Sequence, residues 1–156
     1  MITIRACHLE DVKAVVDILM NKRRLYAELE PALWTVSQGA EQRTEAYFTG
    51  LLASPQQLFL VAEGADRVVG FLVANPQSSP PVYAREPMVA IEDFYVANES
   101  DWPDVGGALL SEARANLRKR GIARFVLMSA FLDEAKMAFL ASQGLPVVSA
   151  SMSGAV

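Results

Sequence analysis

Between residues 58 and 96 three strand-like runs follow one another with no helix between them. Leu58 to Glu63 (LFLVAE) and Arg67 to Ala74 (RVVGFLVA) flank the turn Gly64-Ala65-Asp66, the signature of a β-hairpin. Asn75 to Pro87 holds four of the chain's eight prolines and reads as a loop. Met88 to Val96 is the third run. A polar turn, Asn98 to Val105, then leads into a helix over Gly106 to Arg120, with Leu109, Leu110, Ala113 and Leu117 on one face and Gly121 as its stop. Ala123 to Ser129 (ARFVLMS) is almost unbroken apolar sequence, the pattern of a strand covered on both faces. Three successive strands fit antiparallel pairing, whereas strand–helix–strand needs a crossover and a parallel pair. The sheet is therefore mixed.

The flanks complete the order. Ile2 to Ala6 alternates and reads as a short strand. A helix then starts near Asp11, a candidate cap, with Val12, Val15, Val16 and Leu19 at helical spacing. Pro31 breaks or restarts it. Gly39 to Leu52 is a second helix, Asp133 to Ser142 a short helix near the end of the chain, and Pro146 to Met152 a last strand. The order β-α-α-β-β-β-α-β-α-β belongs to the α/β class with a mixed, mostly antiparallel sheet (α+β). At 156 residues, without repeat, low-complexity tract or linker, residues 1–156 are expected to form one domain.

Several chemistries are excluded by residue counts. Cys7 is the single cysteine and His8 the single histidine. That removes an intramolecular disulfide, Ser-His-Asp catalysis and multi-His or sulfur-rich metal sites, so no metal is expected. On a strand the two neighbours point to opposite faces, against a Cys-His pair. A net charge of −4 favours neither nucleic acid nor an anionic membrane. No segment approaches the ~20 apolar residues that span a bilayer, and no leader pattern opens the chain. A cytoplasmic location is expected.

The stretch IEDFYVANESDWPDVGGALLSEA, Ile91 to Ala113, resembles the acetyl-CoA segment of the GNAT acetyltransferase superfamily. In that family a strand ending in an apolar-x-Val pattern leads into a loop of the form Arg/Gln-x-x-Gly-x-Gly/Ala and a helix with a Leu pair. Here Phe94-Tyr95-Val96 takes the strand end and Leu109-Leu110 the Leu pair. The opening IRACHLED and the tail DEAKMAFLASQGL, Asp133 to Leu145, resemble the family's first and last elements, so the likeness covers nearly the whole chain.

The resemblance implies a GNAT fold and acetyl-CoA as cosubstrate. Phe94, Tyr95 and Val96 would border the pantetheine arm. Backbone N–H groups of Asp104, Val105, Gly106, Gly107 and Ala108 would wrap the pyrophosphate at a helix N-terminus. Gly106 would allow the close approach; the plainer reading is that Gly106-Gly107 only starts a helix. Asp101 and Asp104 depart from the pattern, standing where Arg or Gln and the first Gly are usual. A carboxylate about 5 Å from a phosphate costs roughly 1–3 kcal/mol. Asp104 turned outwards would instead cap the helix.

Residues Ala90, Glu92, Phe94 and Val96 would share one strand face, with Asp93 on the other. On the acyl-transfer cleft, Glu92 would take the proton of an attacking ammonium; otherwise it anchors substrate or is a solvated strand residue. The tyrosine that many relatives use to protonate the leaving thiol is replaced by Leu140, or by Phe139 one register earlier. Tyr26, Glu30, Trp34 and Tyr83 fall in the regions that cover the acceptor, where aromatic and acidic groups suit a cationic amine. Taken singly, Tyr26 and Trp34 read more plainly as core residues of a helix face. The loop Gln77 to Pro87 is a lid or a stiff connector. The implied activity is transfer of acetyl to a primary amine of a small molecule or peptide by direct attack, with homodimers frequent among relatives. The alternative is a non-catalytic module of this fold that binds CoA, another ligand or a protein partner.

Overall fold

The structure, a computed structural model, describes residues 1–78, 82–83 and 86–155. Its elements are β1 (Ile2–Ala6), α1 (Val12–Leu29), α2 (Pro31–Trp34), α3 (Ala40–Leu51), β2 (Leu58–Gly64), β3 (Arg67–Gln77), β4 (Met88–Val96), α4 (Gly107–Lys119), β5 (Arg124–Leu127) and α5 (Glu134–Ser142). The five strands form one sheet in the order β1-β2-β3-β4-β5. All neighbours are antiparallel except β4 and β5, which run parallel, as the strand–helix–strand pattern requires.

Each sheet face has its own core. On one, Val12, Val15, Val16 and Leu19 of α1 and Phe48 of α3 pack on Phe59, Val61, Phe71, Val73 and Tyr95. On the other, Leu109, Leu110, Ala113 and Leu117 of α4 and Phe139 and Leu140 of α5 cover Leu58, Leu60, Leu72, Ile91, Phe94 and Val96. The helical spacing read from α1 and α4 is thus the buried stripe of each. α1 stops at Leu29 because Pro31 follows and opens the short α2. The β2–β3 hairpin turns on Ala65 and Asp66, both at positive φ, the geometry of a type I′ turn. Asp11 does not cap α1; its carboxylate accepts from the His8 N–H and, at 2.6 and 2.8 Å, from the Arg5 guanidinium.

Four expectations are corrected. β3 runs on through Pro76 to Gln77 rather than ending at Ala74. Its last pair with β2 is Ala74↔Leu58, so beyond it β3 pairs with β4 alone and Pro76 is tolerated without an N–H. Residues 98–105 are not an open turn but helical: a 3₁₀ turn (Glu99–Asp101) and a π-helical turn (Trp102–Gly106) run directly into α4. β5 is not covered on both faces. It is the edge strand, with Arg124 exposed and Phe125, Val126 and Leu127 half-buried. Pro146 to Met152 forms no strand; Pro146 lacks a donor and the Ser-Ala-Ser stretch after it has little β preference.

Candidate functional site

The parallel pairing of β4 with β5 covers Met88 to Ile91 and ends at Ile91↔Leu127, closed by the Met128 N–H donating to the Ile91 carbonyl at 2.9 Å. β4 continues for five more residues paired with β3 alone. The two strands therefore part at Ile91, leaving one edge of Glu92–Val96 open.

The same point carries a β-bulge. Val73 pairs with Asp93 and Ala74 with Ile91, so Glu92 is the extra residue. This overturns the expected shared face of Ala90, Glu92, Phe94 and Val96. Beyond the bulge the alternation resets: Ile91 joins Phe94 and Val96 under α4 and α5, while Tyr95 faces α1. Glu92 lies close enough to Asp93 for its charge to disfavour ionisation there. Glu92 is exposed and accepts from the Asn75 amide at 2.5 Å. Burial pushes the Asp93 carboxyl above the usual carboxylate range, offset in part by Arg23 and Lys136.

The acetyl-CoA loop is built differently from its sequence expectation. The Gly107 N–H already donates to the Asp104 and Trp102 carbonyls within the π-helical turn. Val105 and Gly106 are buried, and Gly107 and Ala108 half-buried. Gly106 is needed by a ring rather than shown to be needed by a phosphate. An added Cβ would lie 2.6 Å from Trp102 Cε3 and 3.3 Å from Phe139 Cζ. Asp101 accepts from the Asn98 amide at 2.9 Å, and Asp104 is exposed without acting as a cap.

Beside the open stretch of β4 stands an aromatic cluster. Trp102 stacks on Phe139 at 5.1 Å and 23°, and Phe94 meets Trp102 edge-on at 5.0 Å. Lys136, fully buried, reaches in from α5. Its Nζ lies 4.2 Å from the Tyr95 ring centroid, 5.9 Å from that of Trp102 and 6.0 Å from that of Phe94. Phe94 and Tyr95 face opposite sides of the sheet, so an ammonium near both lies at the level of the sheet, on the edge that β5 has vacated. Lys136 Nζ and Trp102 Nε1 are both buried donors without an acceptor among the described residues. Such a pair is costly unless an acceptor arrives.

Behind this edge Asp133 organises the α1 side. The Tyr26 hydroxyl donates to its Oδ2 at 2.7 Å, Lys22 Nζ lies 3.2 Å from the same oxygen, and its Oδ1 caps α5 by accepting the Lys136 backbone N–H. Glu99 is the second partner of Lys22. The Tyr26 and Trp34 rings meet tilted at 43° with centroids 5.3 Å apart, so these two acceptor-side candidates are brought together. The Glu30 carboxylate is turned to the Ala32 N–H, and Tyr83 stands exposed on the loop after β3. Much of that loop, the candidate lid, lies outside the described residues. Two recesses of about 250 and 320 Å³ lie away from the open edge of β4: one between the start of β4 and the end of α4, one between β1 and α4.

Sequence reasoning missed Asp93, Asp133, Lys22 and Lys136. The signal was present for Lys136. It falls on the apolar face of its helix, three and four residues before Phe139 and Leu140, where a charged side chain is unusual. Among the described residues no cluster of metal-ligating side chains occurs, and no helix is long and apolar enough to cross a membrane.

Comparison with known proteins agrees with this architecture. No curated protein matches the sequence. A fourfold mutant of the BH1408 protein from Bacillus halodurans superposes with a TM-score of 0.87 at 13% identity, covering 99% of each chain. A predicted acetyltransferase from Clostridium acetobutylicum, solved with acetyl-CoA, gives 0.73 at 17% identity over 99% of this chain and 96% of that one. The aminoglycoside 6′-N-acetyltransferase AAC(6′)-IG from Acinetobacter haemolyticus gives 0.73 at 18% identity over 99% and 97%. At these identities the likeness concerns the fold. Residues 19–144 match the acetyltransferase (GNAT) family, and with so much of the sequence matched the chain belongs to that family.

Proposed function

We propose that the protein is an N-acetyltransferase that passes acetyl from acetyl-CoA to a primary amine of a small molecule or peptide by direct attack. The observation that carries this reading is the open edge of β4 beyond Ile91, lined by the two acceptor-less buried donors Trp102 Nε1 and Lys136 Nζ. A thioester lying along that edge supplies a carbonyl oxygen, which is the missing acceptor. The related fold solved with acetyl-CoA supports the choice of cosubstrate. The aminoglycoside acetyltransferase supports an amine acceptor.

In this reading the acceptor approaches from the α1 side, past Tyr26 and Trp34, towards the bulge. Glu92 receives the ammonium proton and Asp93 sits beside it. Phe94, Tyr95 and Val96 line the pantetheine arm, and the pyrophosphate lies over Asp104 to Ala108. Admitting the arm requires the Trp102–Phe139 stack to part. Glu30 and Tyr83 are the outer acceptor contacts. Residues 1–156 act as one domain in the cytoplasm, consistent with a single buried cysteine. A homodimer would use the free edge of β5, where Met128, Phe131 and Leu132 are exposed.

A second reading has its own support. The Gly107 amide is spent inside the π-helical turn, the Trp102–Phe139 stack stands beside the edge, and Asp101 and Asp104 add negative charge. These features suit a module of this fold that binds a ligand or a partner without transferring acetyl. Free-thiol release from acetyl-CoA over a panel of polyamines, amino acids and aminoglycosides separates the two. Release with at least one amine is expected; acetyl-CoA binding with no release across the panel would favour the module. In the active protein, Glu92→Gln should lower kcat by about 10²-fold, the usual worth of a general base, with acetyl-CoA affinity changed less than about twofold. Unchanged kcat would remove Glu92 from the role.

A further inference from the structure

The reading above gives Lys136 a carbonyl to donate to but no part in the bond breaking. Its whole side chain is buried, and its ammonium is held by ring faces rather than by a carboxylate: Tyr95 at 4.2 Å, with Trp102 and Phe94 near 6 Å. The nearby acid does not satisfy it. Asp133, at the cap of its own helix, has Oδ2 engaged by Tyr26 and Lys22 and Oδ1 by the Lys136 backbone N–H. Of the other charged groups facing it, Asp93 of β4 adds attraction and Lys22 of α1 adds repulsion. No hydroxyl stands one turn further along the buried face of α5, where Phe139 and Leu140 are found. A buried N–H donor cluster without an acceptor calls for an explanation, and a ligand that brings an acceptor supplies one.

Resting on the transferase reading, we propose that Lys136 is the proton donor to the departing thiolate. The amine nitrogen forms its bond to the acetyl carbon, and the carbon–sulfur bond breaks with its electron pair going to sulfur. The Lys136 ammonium then gives a proton to that sulfur, leaving free CoA thiol and a neutral amine that water reprotonates. Glu92 takes the ammonium proton before attack, and the second N–H proton, lost as the amide forms, passes to water. An aromatic box suits this role. It holds a cation by its ring faces yet offers no competing hydrogen-bond acceptor. Burial, the dominant influence, lowers the Lys136 ammonium from its ordinary value to about 7, against the partial opposition of Asp133 and Asp93. An acid poised near neutrality transfers its proton readily.

The sign follows from the role. A general acid must be protonated, so kcat falls as pH rises through its pKa. The test is the pH profile of kcat for the wild type and for Lys136→Met, a neutral side chain of similar length. Expected is an alkaline limb near pH 7 in the wild type. Lys136→Met should lose that limb and drop kcat by about 10²-fold or more, with acetyl-CoA affinity within a few-fold. Wild-type turnover with the limb and the rate both retained in Lys136→Met would overturn this inference alone. If the variant does not fold, the wild type still decides: a kcat that does not fall between pH 6 and 9 removes Lys136 as the acid. A wild type that releases no thiol with any amine removes the transferase reading, and the inference with it.

Discussion

Asp133→Ala should lower the free energy of unfolding by about 3–5 kcal/mol, the usual consequence of removing one partner of a buried charge cluster. Asp133 is buried and serves three groups at once: the Tyr26 hydroxyl, the Lys22 ammonium and the first-turn amide of Lys136. Truncation leaves a buried hydroxyl and a buried ammonium with less than they need, and it removes the cap of α5. Tyr26 shows how far the site excludes water; burial, above all, raises its phenol far beyond the ordinary value. Among the described residues Lys22 would keep one carboxylate, the exposed Glu99 at 3.2 Å. For a chain of this length the melting midpoint should fall by roughly 10 °C. Asp133→Asn keeps the cap acceptor and should lose less. A loss below about 1 kcal/mol for the alanine variant, measured by denaturant unfolding, would show that the cluster does not hold α5 against α1.

Gly106→Val should cost about 1–3 kcal/mol or more through overpacking, and the cost should vanish one residue later. The added Cβ at position 106 meets the Trp102 ring at 2.6 Å and the Phe139 ring at 3.3 Å, and the valine branches would lie deeper still. Both rings are buried and stacked, so neither can swing into solvent without opening the core. A Cβ at Gly107 meets nothing within 4 Å. Gly107→Ala, inside a helix, should therefore be neutral or stabilising by roughly 0.5–1 kcal/mol. Thermal unfolding of the two variants side by side decides it; equal midpoints would mean that Trp102 does not sit over Gly106.

The sheet and its two cores were legible in the sequence because periodicity reports burial directly. Val12, Val15, Val16 and Leu19, and Leu109, Leu110, Ala113 and Leu117, are the buried stripes of α1 and α4. The hairpin at Ala65-Asp66 and the break at Pro31 followed from local chain chemistry. The site was less legible, for reasons of register and tertiary context. A bulge shifts the alternation by one residue without any local signal beyond two acids in an otherwise apolar strand, so the face of Glu92 was misread. Asn98 to Gly106 is polar and carries Pro103, which argues for a loop; burying Trp102 against Phe94 and Phe139 pulls the segment into helical turns instead. Lys136 stands one turn before Leu140 on the same face of α5, and its burial depends on the tertiary packing around it rather than on local sequence.

The transferase reading requires the Trp102–Phe139 stack to give way to a pantetheine arm. In a Trp34→Phe variant Trp102 is the sole tryptophan, and its emission reports that stack. Titration of this variant with acetyl-CoA should shift the emission saturably to longer wavelength, and the wild type should release thiol when an amine is added. An emission spectrum unchanged at millimolar acetyl-CoA, with no thiol released, would contradict the claim that the edge beside Glu92–Val96 is an acyl-transfer site.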